Sequence, residues 1–262
     1  MKITIIGAGV MGTIFLEALH KSNAGFEISI TDNSFKKLEK IKKDFTGVQV
    51  FTDNSMAVKN AEIVLLAVKP QSFAEMAEQV KGKIGSALVL SIMAGIKMER
   101  IKEILGTEKI VRAMPNLGAR VLTSMTVWTG RDLSEKEKEI VGKIFKLVGE
   151  EIYVEDENKI DGATAVSGSG PGFFYYFLEE WIKAAKEIGF GEEEAKKMIL
   201  TTVMGSTKIL EKDNNPEELR KQVTSKGGTT EAGLEVMVKT SLKEIMTKVM
   251  EAAQKRAQEL SE

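Results

Sequence analysis

Short apolar runs alternate with helical patterns over about the first 155 residues, an arrangement typical of a parallel sheet with helices on both faces. The runs are rich in Ile, Val and Leu, as buried parallel strands require. The predicted strands are 2–6, 27–31, 48–51, 63–67, 87–91 and 109–112. We therefore expect an α/β domain over residues 1–155.

The strand pattern ends near residue 156, and helical patterns occupy the rest of the chain. They predict three long helices, at about 159–188, 192–212 and 238–260, and two shorter ones at 217–223 and 229–237. We expect residues 156–262 to form an all-α domain. Its apolar surface is large for about 107 residues, which predicts a homodimer built on these helices. The apolar positions are Phe173, Phe174, Phe177, Leu178, Trp181, Met198, Leu200, Met204 and Leu210.

A glycine motif follows the first strand directly, and a helical pattern begins at once. Gly7, Gly9 and Gly12 have the G-x-G-x-x-G spacing, which provides a tight turn, close backbone approach and close helix packing in that order. A pyrophosphate would lie on the free N–H groups at the helix start. The second strand ends in Asp32, where an acid can bind ribose hydroxyls. The motif predicts a Rossmann-type, doubly wound dinucleotide-binding sheet; a glycine-rich turn without a ligand is the alternative.

The cofactor choice stays open at this point. Asp32 suits the ribose of NAD, but its charge would repel the 2′-phosphate of NADP unless a neighbour compensates. The candidates for that compensation are Asn33, Ser34, Lys36 and Lys37. Asp32 could instead cap the helix that follows.

Two glycine-rich stretches stand out in the helical half. Residues 166–172 place three glycines and a proline inside a helical pattern, which indicates close approach of a cofactor ring or another helix. Residues 224–231 place glycines before a helix start. Free N–H groups of Gly228, Thr229 and Thr230 would form an anion cradle suited to a substrate carboxylate. A capped loop without a ligand is the alternative reading.

The composition narrows the function classes. The chain has 37 Lys and Arg against 38 Asp and Glu, which argues against a nucleic-acid surface. It has no cysteine, which excludes disulfides and thiolate metal sites, and we expect no metal centre. Its apolar runs are too short for a membrane helix. The first run leads directly into the glycine turn, so we expect it to be a strand and not a signal peptide. An intracellular soluble protein is the expectation.

The single histidine limits the chemistry. His20 ends the first helix, far from the strand ends, so no histidine base is expected in a site there. This disfavours hydroxyacid dehydrogenases that use histidine and every Ser-His triad. A C=N bond remains a plausible substrate, because a protonated imine accepts hydride without a strong base.

Five segments in order carry a family resemblance: 67–70 (AVKP), 112–116 (RAMPN), 166–171 (VSGSGP), 204–206 (MGS) and 227–230 (GGTT). Together they resemble pyrroline-5-carboxylate reductase over essentially the whole chain. The resemblance implies NAD(P)H-dependent reduction of 1-pyrroline-5-carboxylate to L-proline, the last step of proline synthesis. It also implies a cytoplasmic homodimer, or a ring of dimers, joined through the helical domain.

The same resemblance, with the motif analysis, implies the site residues. The cofactor, NADP(H) or NAD(H), is expected on Gly7, Ala8, Gly9, Val10, Met11, Gly12, Asp32, Asn33, Ser34, Asn54, Val68, Lys69, Pro70, Ala94 and Gly95. The substrate is expected on Glu157, Gln222, Gly228, Thr229 and Thr230, with Thr230 as the catalytic partner of the ring nitrogen. Lys226 stands where the family usually has proline, and Asp32 and Asn33 replace its small or basic residues.

Two alternatives remain open. One is a reductase of the same family that acts on another cyclic imino acid. The other is a sensor that binds the dinucleotide and performs no chemistry.

Overall fold

The computed structural model describes residues 1–22 and 24–261. The strands of these residues form one sheet, in the order β3-β2-β1-β4-β5-β6-β7-β8. The strands are β1 (Lys2–Ile6), β2 (Glu27–Thr31), β3 (Gln49–Phe51), β4 (Ile63–Leu66), β5 (Leu88–Ser91), β6 (Ile110–Met114), β7 (Ser124–Arg131) and β8 (Gly149–Tyr153). All neighbours run parallel except β6 and β7, which are antiparallel.

Helices follow most strands and fill the second half of the chain. They are α1 (Val10–Lys21), α2 (Phe35–Asp44), α3 (Asn54–Ala57), α4 (Phe73–Val80), α5 (Met98–Leu105), α6 (Glu135–Lys146), α7 (Asn158–Ala163), α8 (Gly170–Glu187), α9 (Glu192–Asp213), α10 (Pro216–Gln222), α11 (Thr229–Lys239) and α12 (Leu242–Glu259). A π-helical segment, Thr164–Gly168, lies between α7 and α8. In the described ranges, no helix is both long and apolar enough to cross a membrane.

The central strands β1, β4 and β5 are buried on both faces, as the doubly wound prediction requires. Alternate residues of β4 point to opposite cores: Ile63 and Leu65 to one, Val64 and Leu66 to the other. The first core takes its helical side chains from α1, α2 and α6, and the second from α4 and α5. The predicted α/β class and the helical second half are therefore confirmed.

Two strands were missing from the prediction. β7 follows a short 3₁₀ turn, Leu117–Val121, and not a crossover helix, so the expected alternation of strand and helix fails there. β8 is an edge strand that carries Glu150 and Glu151 and is mostly exposed. Such a strand has no continuous apolar run, since its two faces are not both buried.

The predicted long helix at 159–188 is divided into α7, the π segment and α8. At Gly168 a close approach is made by a side chain, since a Cβ there would lie 2.6 Å from Met114 Cε, whereas a Cβ on Gly170 or Gly172 would meet nothing within 4 Å. The expected approach of a cofactor ring to these glycines stays a prediction. The other helical predictions match α9 to α12 within a few residues at each end.

The compact units of the structure do not coincide with the predicted division at 155/156. One unit contains Met1–Pro171 together with the end of the chain from Ala252, and the other contains Gly172–Glu251. The first therefore includes α7, the π segment and the last turns of α12.

Buried polar contacts of Arg112 explain why these segments pack in the same unit as the sheet. The Arg112 side chain in β6 is 1% exposed, and its Nη2 donates to Asp161 Oδ1 at 2.6 Å and to Ser261 Oγ at 3.1 Å. Its Nη1 donates to Glu157 Oε1 at 3.3 Å. Ser261 Oγ also lies 2.9 Å from Asp161 Oδ1. The Arg112 cluster, defined by these four residues, joins β6 to α7 and to the end of the chain.

Replacing Arg112 by methionine should lower the thermal unfolding midpoint by on the order of 10 °C, because two carboxylates lose their buried cation. Calorimetry measures this shift. The matched control is Lys183→Met, since Lys183 pairs with Glu179 and Glu180 on the exposed face of α8. It should change the midpoint by less than about 2 °C. Equal shifts for the two variants would contradict a structural role for the cluster.

Candidate functional site

A cleft of about 470 Å³ lies at the carboxyl ends of β1, β2 and β4. It brings together seven of the predicted cofactor residues: Gly7, Gly9, Asp32, Asn33, Asn54, Val68 and Lys69. Lys37, a candidate to compensate Asp32, also lines the cleft. The other lining residues were not predicted to belong to the site: Ile6, Thr31, Thr52, Ala67, Ser72, Glu75, Met76 and Gln79. Their place at or just after strand ends is the signal that could have found several of them.

The three positions of the motif call for glycine for different reasons. Gly7 has φ +106°, and a Cβ on it would lie 2.7 Å from the Ala67 carbonyl oxygen. A Cβ on Gly12 would lie 1.9 Å from the Gly7 carbonyl oxygen. A Cβ on Gly9 would meet nothing within 4 Å. The chain itself therefore requires Gly7 and Gly12, whereas Gly9 leaves open space that faces the cleft.

The start of α1 fits a bound anion. Gly9 is its N-cap, and the first backbone bond runs from Thr13 N–H to the Gly9 carbonyl at 3.0 Å. The N–H groups of the first turn have no intrahelical acceptor, and this turn carries no acidic side chain. Open space at Gly9 and a helix N-terminus at its edge together suit the pyrophosphate of a dinucleotide.

Asp32 braces the glycine loop. Its side chain is 8% exposed; Oδ2 accepts the Ala8 N–H at 2.8 Å and Oδ1 accepts the Ser34 N–H at 2.9 Å. Lys37 Nζ lies 3.3 Å from Oδ1 and 3.2 Å from Oδ2. The N-cap of α2 is Ser34, so the alternative that Asp32 caps this helix is wrong.

Asn54 is held at the cleft by bonds on both sides. Its Oδ1 accepts from Thr31 Oγ1 at 3.0 Å, and its Nδ2 donates to Gln79 Oε1 at 2.9 Å. Asp53 caps α3 by accepting the Ser55 N–H at 2.8 Å, and hydrogen bonding from Ser55 holds the pKa of Asp53 below its usual value. The side chain of Asn54 is therefore fixed between β2 and α4.

The other predicted cofactor residues do not line this cleft: Ala8, Val10, Met11, Gly12, Ser34, Pro70, Ala94 and Gly95. Ala8 and Ser34 act through Asp32, as described above. Gly95 has φ +73°, and a Cβ on it would lie 2.5 Å from the Leu260 carbonyl oxygen, so the end of the chain packs against this loop. A cofactor contact at these positions stays a prediction.

Glu157, expected to face the substrate, takes part in the Arg112 cluster. Its Oε1 accepts the Met98 N–H at 2.8 Å as well as an N–H of Arg112 Nη1. Its side chain remains 24% exposed. The carboxylate thus orients the start of α5, and its contact with a substrate stays a prediction.

The loop before α11 agrees only in part with the predicted anion cradle. The Gly228 N–H donates to the Ser225 carbonyl at 3.0 Å, because the two residues close a turn; the expectation that it is free is wrong. Glu231 Oε2 accepts the Gly227 N–H at 2.6 Å, so an acid already lies at this helix start. The cradle is reduced to the first-turn N–H groups of Thr229 and Thr230.

The remaining substrate candidates lie in the same unit. Gln222 is the last residue of α10, and Thr229 and Thr230 are the first two residues of α11. All three are exposed. Their roles in substrate binding stay predictions.

Comparisons with known proteins cover the whole chain. Pyrroline-5-carboxylate reductase 2 of Bacillus subtilis is 33% identical over 100% of this chain and 95% of its own length. The chain belongs to the pyrroline-5-carboxylate reductase family. The family model for pyrroline-5-carboxylate reductase dimerisation matches residues 157–260, and the model described as NADP oxidoreductase, coenzyme F420-dependent, matches residues 2–95.

Two solved reductases of this family have the same fold. The Coxiella burnetii enzyme is 33% identical with a TM-score of 0.92, over 99% of this chain and 98% of that one. The Plasmodium falciparum enzyme, solved with NADP bound, is 27% identical with a TM-score of 0.87. The match covers 100% of this chain and 98% of that one.

Gly9 and Gly12 give a matched test of the dinucleotide site. Gly9→Ala should leave the unfolding midpoint within about 2 °C of the native value, since its Cβ has room. It should weaken NADPH binding about 10-fold or more, because the methyl group occupies the pyrophosphate approach. Gly12→Ala should lose more than about 2 kcal/mol of stability through overpacking. Fluorescence titration measures the NADPH affinity, and calorimetry measures the stability. Native NADPH affinity in Gly9→Ala would contradict the assignment of Gly9 to the pyrophosphate site.

Proposed function

We propose that this protein reduces 1-pyrroline-5-carboxylate to L-proline with NADPH or NADH. The observation that carries the proposal is identity of 33% to a named reductase over the full chain, in both the sheet-bearing and the helical parts. The cleft at the glycine loop supports it, because its geometry suits a dinucleotide.

A bound reduced nicotinamide supplies the hydride; the residues of the chain bind and orient. The start of α1 holds the pyrophosphate, and Asp32 fixes the loop that presents it. Thr230 is the hydrogen-bond partner of the substrate nitrogen, its hydroxyl oxygen accepting the N–H of the protonated imine, and the first turn of α11 holds the substrate carboxylate. A protonated C=N bond accepts hydride at its carbon, so no strong base is needed.

The position of the one histidine agrees with this chemistry. His20 Nε2 lies 3.0 Å from the Thr46 carbonyl, and its ring packs edge-on against Phe45. Neither His20 nor these partners line the cleft. Catalysis by this protein therefore rests on orientation and hydrogen bonding, with no imidazole at the dinucleotide cleft.

We also propose that the protein is a homodimer joined through its helical residues, as the family match for dimerisation suggests. The α8 surface supports this, because Phe174, Tyr175, Tyr176, Phe177 and Trp181 are 39–65% exposed. Of the stripe predicted on α8, Leu178 is buried and the Phe177 and Trp181 rings lie 5.7 Å apart. A ring of dimers and a cytoplasmic location stay predictions.

The activity is tested by following cofactor oxidation with 1-pyrroline-5-carboxylate, using NADPH and NADH in parallel. Thr230→Ala should lower turnover about 100-fold, since it removes a transition-state hydrogen bond, while cofactor affinity stays close to native. Thr247→Ala is the control, because the Thr247 hydroxyl donates to the Lys243 carbonyl of its own helix. Native turnover in Thr230→Ala would remove this residue from its role. A faster rate on another cyclic imino acid would redirect the proposal.

The dimer is tested by placing charge on α8. Phe177→Asp should shift the molar mass measured by light scattering from dimer toward monomer, because a buried carboxylate is costly in an apolar interface. Val121→Asp is the control: Val121 is 71% exposed and lies outside α8–α12. A dimer that persists in the Phe177 variant would place the interface elsewhere.

A further inference from the structure

Lys37, one partner of an ion pair in the cleft, has no role in the function proposed above. Lys37, on the first turn of α2, places its ammonium against both carboxylate oxygens of Asp32, at 3.3 and 3.2 Å. The Asp32 side chain is 8% exposed, whereas that of Lys37 is 50% exposed. Both residues line the cleft at the carboxyl end of β2.

The acceptor capacity of Asp32 is already used. Each carboxylate oxygen accepts one backbone N–H, from Ala8 or Ser34, and also contacts the Lys37 ammonium. A carboxylate offers about four acceptor positions, so these contacts fill it. The hydroxyls of an NADH ribose could bind Asp32 only after displacing Lys37.

A 2′-phosphate, in contrast, finds a cation available at this position. The ribose of a dinucleotide lies beside the end of the second strand in this fold, where a cation accommodates the phosphate of NADP. Lys37 supplies that cation and neutralises Asp32. Its flexible four-carbon stem and half-exposed position let the ammonium turn toward a phosphate.

The other lysines are placed differently. Lys36 is exposed and does not line the cleft. Lys69 lines it, but from the end of β4 and not beside β2. Among the candidates that could compensate Asp32, only Lys37 has a positive charge that the structure places in the cleft.

We propose that Lys37 receives the 2′-phosphate and makes the enzyme prefer NADPH to NADH. This inference rests on the dinucleotide site of the proposed function. It predicts opposite effects on the two cofactors when the ammonium is removed: the phosphate then faces an unpaired carboxylate, while the ribose hydroxyls gain free acceptors. Damage to the fold would instead weaken both.

The experiment measures the dissociation constants of NADPH and NADH by fluorescence, and of adenosine 2′,5′-bisphosphate and 5′-AMP by calorimetry. The native protein should bind the 2′-phosphorylated member of each pair more tightly. Lys37→Met should weaken binding of both 2′-phosphorylated ligands about 10- to 100-fold. Binding of NADH and 5′-AMP should stay the same or tighten.

Two matched variants complete the design. Lys36→Met removes the same charge one residue away and should change each constant by less than about 2-fold. Lys37→Arg keeps the charge and should retain the preference for NADPH. A native ratio of NADPH to NADH affinity in Lys37→Met, or an equal loss of both, would overturn this inference alone. Failure of the native protein to bind either dinucleotide would overturn the cofactor half of the proposed function as well.

Discussion

The buried guanidinium of Arg112 is the constraint on which the sheet-bearing unit depends. A charge that is 1% exposed is tolerated only with compensating partners, and two carboxylates and a hydroxyl supply them. These partners come from α7 and from the end of the chain. Because the arginine lies in the middle of the sheet, satisfying it fixes where both segments pack.

That requirement extends to the loops at the strand ends. Glu157, held by Arg112, also accepts the Met98 N–H and so sets the start of α5. The end of the chain, held through Ser261, places the Leu260 carbonyl against Gly95. Gly95 can carry no side chain there without moving this carbonyl. The loop between β5 and α5 is thus fixed from two directions by one buried charge.

The local pattern of apolar residues and glycines was sufficient to predict the first six strands and the position of the cleft. The first six strands follow from their apolar runs, and the glycine spacing located the cleft. β7 and β8 were missed because one breaks the alternation with helices and the other is a polar edge strand. The sequence could not separate Gly9 from Gly12, since only packing shows that one faces open space and the other a carbonyl.

The polar contacts were less accessible to sequence reasoning. Glu157 pairs with an arginine 45 residues away, and spacing alone does not reveal that distance. A signal was present: an arginine inside the apolar run Ile110–Met114 demands a buried acid somewhere. Gly228 was misread because the turn to Ser225 uses its N–H. Lys37 stood among four candidates until the structure placed its ammonium on Asp32.

The reach of the Arg112 cluster also bears on how the chain folds as it is synthesised. Arg112 and Ser261 are 149 positions apart, and the compact helical unit Gly172–Glu251 is encoded between them. Domains commonly fold in order as they leave the ribosome. The sheet-bearing unit can therefore pair its buried arginine with Ser261 only after the whole helical unit between them has been synthesised.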